Sequence, residues 1–261
     1  VASTWDMLRK QIPSHLNFSM TGNPNMNSDL GGFFCGHYNK AGMKAYENPQ
    51  FRELTVRWTQ LGTFTPMMRS HGADSPREMY LFGSDGEPVY DALRNAVKLR
   101  YALLPYIYST SWDVTHNRSS FMRPLVMDFP SDAKGLDNNR EFMFGKSLLV
   151  APVVEAQYTD EAVVKIDENS GWDKKETAAG GVSAAADFLA PRTWNVYLPA
   201  GTTWYDFFTG KPYKGGSEIQ IPVTLMDIPV FAKAGSIIPL GPDVTYAAEK
   251  PWDDLESKVF P

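Results

Sequence analysis

The spacing of apolar positions changes character about half-way along the chain. Residues 4–12 read as a helix with Thr4 as N-cap, Asp6 in the first turn and Pro13 as its stop. "LNFSM" (16–20) reads as a short strand, and the Gly/Asn/Pro-rich run 21–28 as loop, which puts Asp29 just beyond a strand end. Leu54, Trp58 and Leu61 have helical spacing within residues 50–61, and "TFTPMM" then reads as a second strand running into Arg69, Ser70 and His71. The strongest helix spans residues 90–112, with Leu93, Val97, Tyr101, Leu104 and Tyr108 on one stripe and a kink or break predicted at Pro105. A capped helix this near the first residue, with no strand before it, is the pattern expected of a chain cut inside a β/α alternation. In a (β/α)8 barrel, the C-terminal strand ends build the active site.

From about residue 121 the texture becomes short alternating or apolar runs broken by Gly and Pro: "SLLVAPVV", "TWNVYLP", "TWYDFFTG", "SEIQIPV" and "IPVFAKAGSIIPL". This predicts an all-β sandwich. The small-residue stretch "ETAAGGVSAAADF" reads as a surface insertion between two strands. Residues 243–261 are polar and aperiodic, read as a linker or the start of a further β domain. The division is therefore 1–120 barrel part, 121–242 sandwich, 243–261 linker or distal start.

Composition removes several functions. A net charge of -5 with no dense Lys/Arg block offers little to a row of phosphates, so nucleic acid is not an expected partner. No apolar run approaches the roughly 20 residues a bilayer demands, and "VASTWDML" lacks the parts of a signal peptide, so the visible chain is expected to be soluble and not membrane-bound. The one cysteine, Cys35, excludes an internal disulfide framework and leaves the compartment open, leaning to periplasm or secretion. The 7 Trp, 12 Tyr and 15 Phe tilt modestly towards carbohydrate, because sugar rings pack on flat apolar faces.

The chain has no GxxxxGK[ST], no GxGxxG after a strand, no HExxH and no GxSxG. His15, His37, His71 and His116 are too scattered for a metal argument, so neither a metal nor a cofactor is expected. What remains is polar chemistry at the two strand ends: Asp29, Phe33, Arg69 and His71. Sugar hydroxyls need a carboxylate to accept and an Arg or His to donate, beside an aromatic face. The bland alternative has Asp29 capping a turn, Phe33 in the core and Arg69 paired with a nearby acid.

"SDLGGFF", "ELTVRWTQLGTFTPMMRSHG", "RYALLPYIYS" and "FMFGKSLLVAPVV" follow one another as in family 31 glycoside hydrolases, and the resemblance covers nearly the whole chain. The resemblance implies the last part of a (β/α)8 barrel, then a proximal β-sandwich. It also implies hydrolysis of α-glycosidic bonds with retention by two Asp residues on earlier strands. By the family pattern the acid/base Asp falls immediately before Val1 and the nucleophile further upstream, so no Asp of this chain is a catalyst. Asp6, Asp74, Asp128 and Asp132 read as ordinary helix or loop residues, and the remainder of the barrel is an expected partner. His71 resembles the histidine that bonds hydroxyls of the terminal sugar, Phe33 that subsite's aromatic wall, and Asp29 and Arg69 its charged lining.

Asn27-Ser28, Ser70 and the long loop 34–50 depart from the family pattern and bear on the subfamily. "RSHGADSPREMYLFG" resembles α-xylosidases, including those acting on xyloglucan side chains. The readings carried forward are an exo-acting α-xylosidase on oligosaccharides, an α-glucosidase, and a non-catalytic carbohydrate-binding protein on the same fold.

Overall fold

In the computed structural model, residues 1–166, 176–179, 182, 184 and 187–261 are described. Helix α1 (Trp5–Met20) starts where expected, with the Thr4 side chain accepting from the Met7 amide, but runs through Pro13 to absorb the predicted strand 16–20. Trp5, Leu8, Ile12, His15, Leu16 and Ser19 form one continuous buried stripe at helical spacing. That stripe outweighs the one backbone bond Pro13 removes, and a five-residue apolar run by itself fits either period.

Helix α2 (Pro49–Gly62) follows a side-chain cap from Asn48. The predicted strand "TFTPMM" is instead a turn. Its carbonyls are taken by the half-buried Arg100 guanidinium, which donates to Thr63 (2.9 Å), Thr65 (2.6 Å) and Pro66 (2.9 Å), so the segment has no need of a neighbouring strand. The long helix divides as Pro105 predicts, into α3 (Pro88–Ala102) and α4 (Leu104–Asn117), with the proline in the first turn of α4 where its missing N–H costs nothing. The break rotates the buried face. Tyr106, Ile107 and Thr110 point inward and Tyr108, expected on the stripe, is 81% exposed.

The second half is sheet-rich. It contains β1 (Met122–Arg123), the short helices α5 (Leu125–Asp128) and α6 (Ala133–Leu136), β2 (Phe142–Phe144), β3 (Leu148–Val150), β4 (Val163–Ile166) and β5 (Glu176–Ala179). Then come β6 (Arg192–Leu198), β7 (Thr203–Asp206), β8 (Pro212–Lys214), β9 (Ser217–Val223), β10 (Val230–Lys233), β11 (Ser236–Leu240) and β12 (Glu256–Phe260). An antiparallel sheet in the order β1-β2-β3-β10-β7-β8 carries the apolar runs, and β6 pairs with β9 from Arg192↔Val223 to Leu198↔Ser217. The indole of Trp194 on β6 donates to Ala151 at the end of β3, tying the two sheets together. Most of "ETAAGGVSAAADF" beyond β5 lies outside the described residues.

One buried cluster runs from Trp5 to Phe260, so the helical and sheet-rich parts share a core. A polar face of α2 helps join them. Arg57, fully buried, donates to Gln60 and Gln157 side-chain oxygens (2.9 Å each) and to the Thr224 and Asp227 carbonyls (3.1 Å each). Glu53, one turn earlier and equally buried, accepts from the amides of Gln157 (2.7 Å) and Tyr158 (3.2 Å) and from the Thr159 hydroxyl (2.7 Å). Burial pushes the Glu53 carboxyl up, opposed by these bonds and by Arg57, and pushes Arg57 down to about 10.

Candidate functional site

Three extended segments lie side by side in parallel: residue 2 bridges Phe34, Phe34 bridges Ala73, and Asp29 bridges Arg69. The bonds that align them are Ser3 N–H to Phe34 O (2.9 Å), Phe33 N–H to Val1 O (2.7 Å), Leu30 N–H to Arg69 O (3.1 Å) and Ala73 N–H to Phe33 O (2.8 Å). Asp29 and Arg69 therefore sit on these short parallel segments themselves, and not beyond strands ending at Met20 and Met68. The expected strands were displaced by a few residues because "LNFSM" continues α1 and "TFTPMM" turns under Arg100.

On these segments the four residues singled out from sequence meet in two pairs. Arg69 Nη2 lies 2.7 Å from Asp29 Oδ1, an ion pair with the arginine side chain half exposed. The rings of Phe33 and His71 are 5.5 Å apart, edge to face. Phe33 also packs edge to face on Phe34, at 4.7 Å. The bland alternative for Arg69, pairing with an acid, and the site reading converge on one contact, because the acid is Asp29.

Two glycines make this possible. Gly31 and Gly32 have φ of +82° and +79°, a left-handed pair open to glycine and strained for other residues. A Cβ on Gly32 would stand 2.7 Å from the Cα of Ser3, so the segment can press onto residues 1–3 only without a side chain there.

Sequence reasoning missed the residue that bolts the loops together. Arg77 donates to the carbonyls of Gly32 (2.6 Å), Phe33 (3.0 Å), Ala73 (3.1 Å) and Ser75 (2.8 Å), bridging the backbone that presents Phe33 to the loop following His71. Asp74, read as an ordinary loop residue, is one with a cap to perform: Oδ2 accepts from the amides of Cys35 (3.1 Å) and Gly36 (3.0 Å). The one available signal was the density of polar residues in "RSHGADSPRE", which gives no partners. Asp6 pairs with Lys10, Asp128 with Arg123, and Asp132 caps α6 and accepts from Tyr197.

No group of three or more His, Cys, Asp or Glu that could hold a metal occurs among the described residues. None of their helices is long and apolar enough to cross a membrane. Asp29 and Phe33 are half-buried and His71 is exposed; Ser70 and Arg77 border a cavity of about 510 Å3 between α2 and α3.

Short parallel segments followed by helices, with an antiparallel β part behind them, are what the end of a (β/α)8 barrel joined to a β-sandwich presents. Comparison with known proteins is specific on the family. The model of the glycosyl hydrolases family 31 TIM-barrel domain matches residues 1–110, and that of the glycosyl hydrolase family 31 C-terminal domain matches 118–180 and 182–238. The chain belongs to glycoside hydrolase family 31.

It is 34% identical over its whole length to an alpha-xylosidase of Saccharolobus solfataricus, of which it spans 30%. It is 33% identical over 90% of its length to human neutral alpha-glucosidase C, of which it spans 21%. Among solved structures it superposes with a TM-score of 0.76 on a family 31 alpha-xylosidase from Xanthomonas citri, at 34% identity, covering 95% of this chain and 23% of that one. It does so equally, at 32% identity, on a Flavobacterium johnsoniae family 31 dextranase complexed with glucose, covering 98% and 26%. The chain thus spans less than a third of these relatives and corresponds to the C-terminal part of a (β/α)8 barrel followed by a β-sandwich, as the sequence implied.

Proposed function

We propose that the intact protein is an exo-acting retaining α-xylosidase that removes terminal α-linked xylose from oligosaccharides such as xyloglucan fragments. The observation that carries the reading is the Phe33–His71 pair beside the Asp29–Arg69 ion pair on adjacent parallel segments. In this reading Phe33 is the wall on which a sugar ring rests, and His71 and the Asp29–Arg69 pair exchange hydrogen bonds with its hydroxyls. Such contacts tighten as the ring flattens towards an oxocarbenium-like state, which is how they would raise rate as well as affinity. The two Asp carboxyls of the double displacement lie upstream, about 5–5.5 Å apart, one attacking the anomeric carbon while the other protonates the leaving oxygen.

The α-xylosidase reading draws on "RSHGADSPREMYLFG" and on the match, along the whole of this chain, to part of an alpha-xylosidase. A second reading, α-glucosidase, draws on the similarly strong match to neutral alpha-glucosidase C. We also propose the division 1–120, 121–242 and 243–261 into barrel part, sandwich and linker or distal start. Assaying the full-length protein on aryl α-xyloside and aryl α-glucoside separates the two enzymes, and inactivity on both would leave the non-catalytic binder. In the same protein His71→Ala is expected to lower turnover far more than stability; a loss explained wholly by unfolding removes His71 from the sugar subsite.

A further inference from the structure

Arg77 grips the Phe33 segment at the carbonyls of Gly32 and Phe33, and the Ala73 amide bonds that same Phe33 carbonyl. These holds all act on one point of the backbone, about which the segment could still pivot. A second grip lies just past the ring. Asp74, three residues after His71, reaches across to the turn that follows Phe33. There one oxygen, Oδ2, accepts from the amides of Cys35 (3.1 Å) and Gly36 (3.0 Å). Those N–H groups stand at the start of the short helical turn Gly36–Tyr38, where a carboxylate is the strongest acceptor a side chain offers.

Asp74 is exposed, so each of these bonds has to hold against water, and what holds them is convergence. Its backbone has φ of +72°, a left-handed conformation that aspartate tolerates better than most side chains. Its carbonyl accepts from Asn39 Nδ2 (3.2 Å), whose Oδ1 accepts in turn from the Ala45 amide (2.8 Å). The buried Cys35 thiol donates to the Ala73 carbonyl (3.4 Å). On the other side of the turn the buried His37 places Nε2 3.2 Å from the Ser3 carbonyl. The turn is thus held between residues 1–3 and the loop after His71. It also sits on the carboxyl as closely as glycine allows: a Cβ on Gly36 would stand 3.3 Å from Asp74 Cγ and Oδ2.

We propose that Asp74 is a positioning residue of the sugar site: it touches no sugar itself and sets the spacing of Phe33 and His71 by clamping the turn after one to the loop after the other. The inference rests on the proposed reading of Phe33 and His71 as wall and hydrogen-bonding partner for one sugar ring. A ring resting on Phe33 keeps its hydroxyls within reach of His71 only while the two side chains hold their 5.5 Å spacing. A misplacement of about 1 Å costs up to ~100-fold in rate. Glycine at position 74 would supply the left-handed backbone without the acceptor, and asparagine would supply both.

The test uses the full-length protein, with aryl α-xyloside and aryl α-glucoside for kinetics and free xylose and glucose for binding by saturation-transfer NMR. Asp74→Gly is expected to lower kcat/KM roughly 10- to 100-fold and to weaken sugar binding, while a thermal melt shows it folded at the assay temperature. Asp74→Asn keeps an acceptor oxygen in place and is expected to recover most of that loss, whereas a carboxylate acting on the sugar directly would make it as poor as Asp74→Gly. Gly36→Ala crowds the carboxyl from the other side and is expected to lower kcat/KM by itself, yet to add nothing to Asp74→Gly, in which the obstructing side chain is gone. Full activity of Asp74→Gly, a loss explained wholly by its unfolded fraction, equal losses for Asp74→Asn and Asp74→Gly, or Gly36 and Asp74 changes that simply add would each overturn the proposal and leave the proposed function standing. A wild type inactive on both aryl glycosides counts against the proposed function instead. Sugar binding then decides the inference, which stands if Asp74→Gly weakens binding and Asp74→Asn restores it, and falls otherwise.

Discussion

Replacing Arg57 by Met removes a guanidinium that is wholly buried and makes four hydrogen bonds of 2.9–3.1 Å, while methionine refills most of the stem volume. The Gln60 and Gln157 amides can re-orient, the Thr224 carbonyl keeps the Asp227 amide as donor (3.2 Å), and Asp227 is exposed enough for water to replace the guanidinium at its carbonyl, so these four bonds are the smaller part of the loss. Glu53 loses the cation that opposes its desolvation. The cost lies chiefly in that fully buried carboxylate left without its cation, and removing one member of a buried pair costs ~3–5 kcal/mol. At about 1.4 kcal/mol per decade this is roughly a 150- to 4,000-fold rise in the local opening equilibrium. The amides of Gln157 and Tyr158 report it directly, since both donate to Glu53. Hydrogen exchange of the intact protein should show their protection falling by that factor, and Glu53→Gln added to Arg57→Met should cost less than the separate changes summed, because no buried charge is then orphaned. A loss below about 1 kcal/mol, the range of exposed pairs, or strict additivity would refute the reasoning.

Arg77→Met should raise KM and lower kcat on an aryl α-glycoside, because four carbonyls flanking Phe33 and His71 lose their donor; Arg77→Lys should not restore them, since one ammonium cannot span the fork, and full activity in either variant contradicts the role. Gly32→Ala should destabilise well beyond Gly42→Ala: both have φ near +80°, costing about 1–2 kcal/mol for a side chain, but a Cβ at Gly32 meets Ser3 whereas one at Gly42 meets nothing within 4 Å. Equal melting temperatures for the two would show that residues 1–3 yield without cost. Glu141 has a folded pKa raised to about 8, so its contribution to stability is complete below about pH 4.5 and is lost as pH rises through about 8. Wild-type stability should therefore fall relative to Glu141→Gln over that window, and a parallel pair of pH profiles would mean the carboxyl is not desolvated.

Much of this molecule was legible in one dimension. The helix at Leu54, Trp58 and Leu61, the break at Pro105 and the β runs that became β3, β6, β7, β9, β10 and β11 each depend on local spacing or backbone chemistry, which sequence carries directly. The four candidate site residues were named from residue type and family resemblance. Their pairing was not readable, since Asp29 and Arg69 lie forty positions apart and touch only because three segments align in parallel.

Failures came where a distant group overrode a local pattern. "TFTPMM" has strand-like composition, but Arg100, contributed by α3, supplies its hydrogen bonds. Tyr108 fits the stripe of one straight helix and faces solvent because the break turns α4. Arg77, Glu53 and Arg57 look like ordinary surface charges in the string, and only tertiary structure buries or brackets them, because a charge is tolerated inside only where many separate elements bring it hydrogen bonds. Sequence by itself determined the elements and the chemistry available; the meeting of segments far apart in the chain decided which of those groups came together on adjacent parallel segments and which became the joint between its two parts.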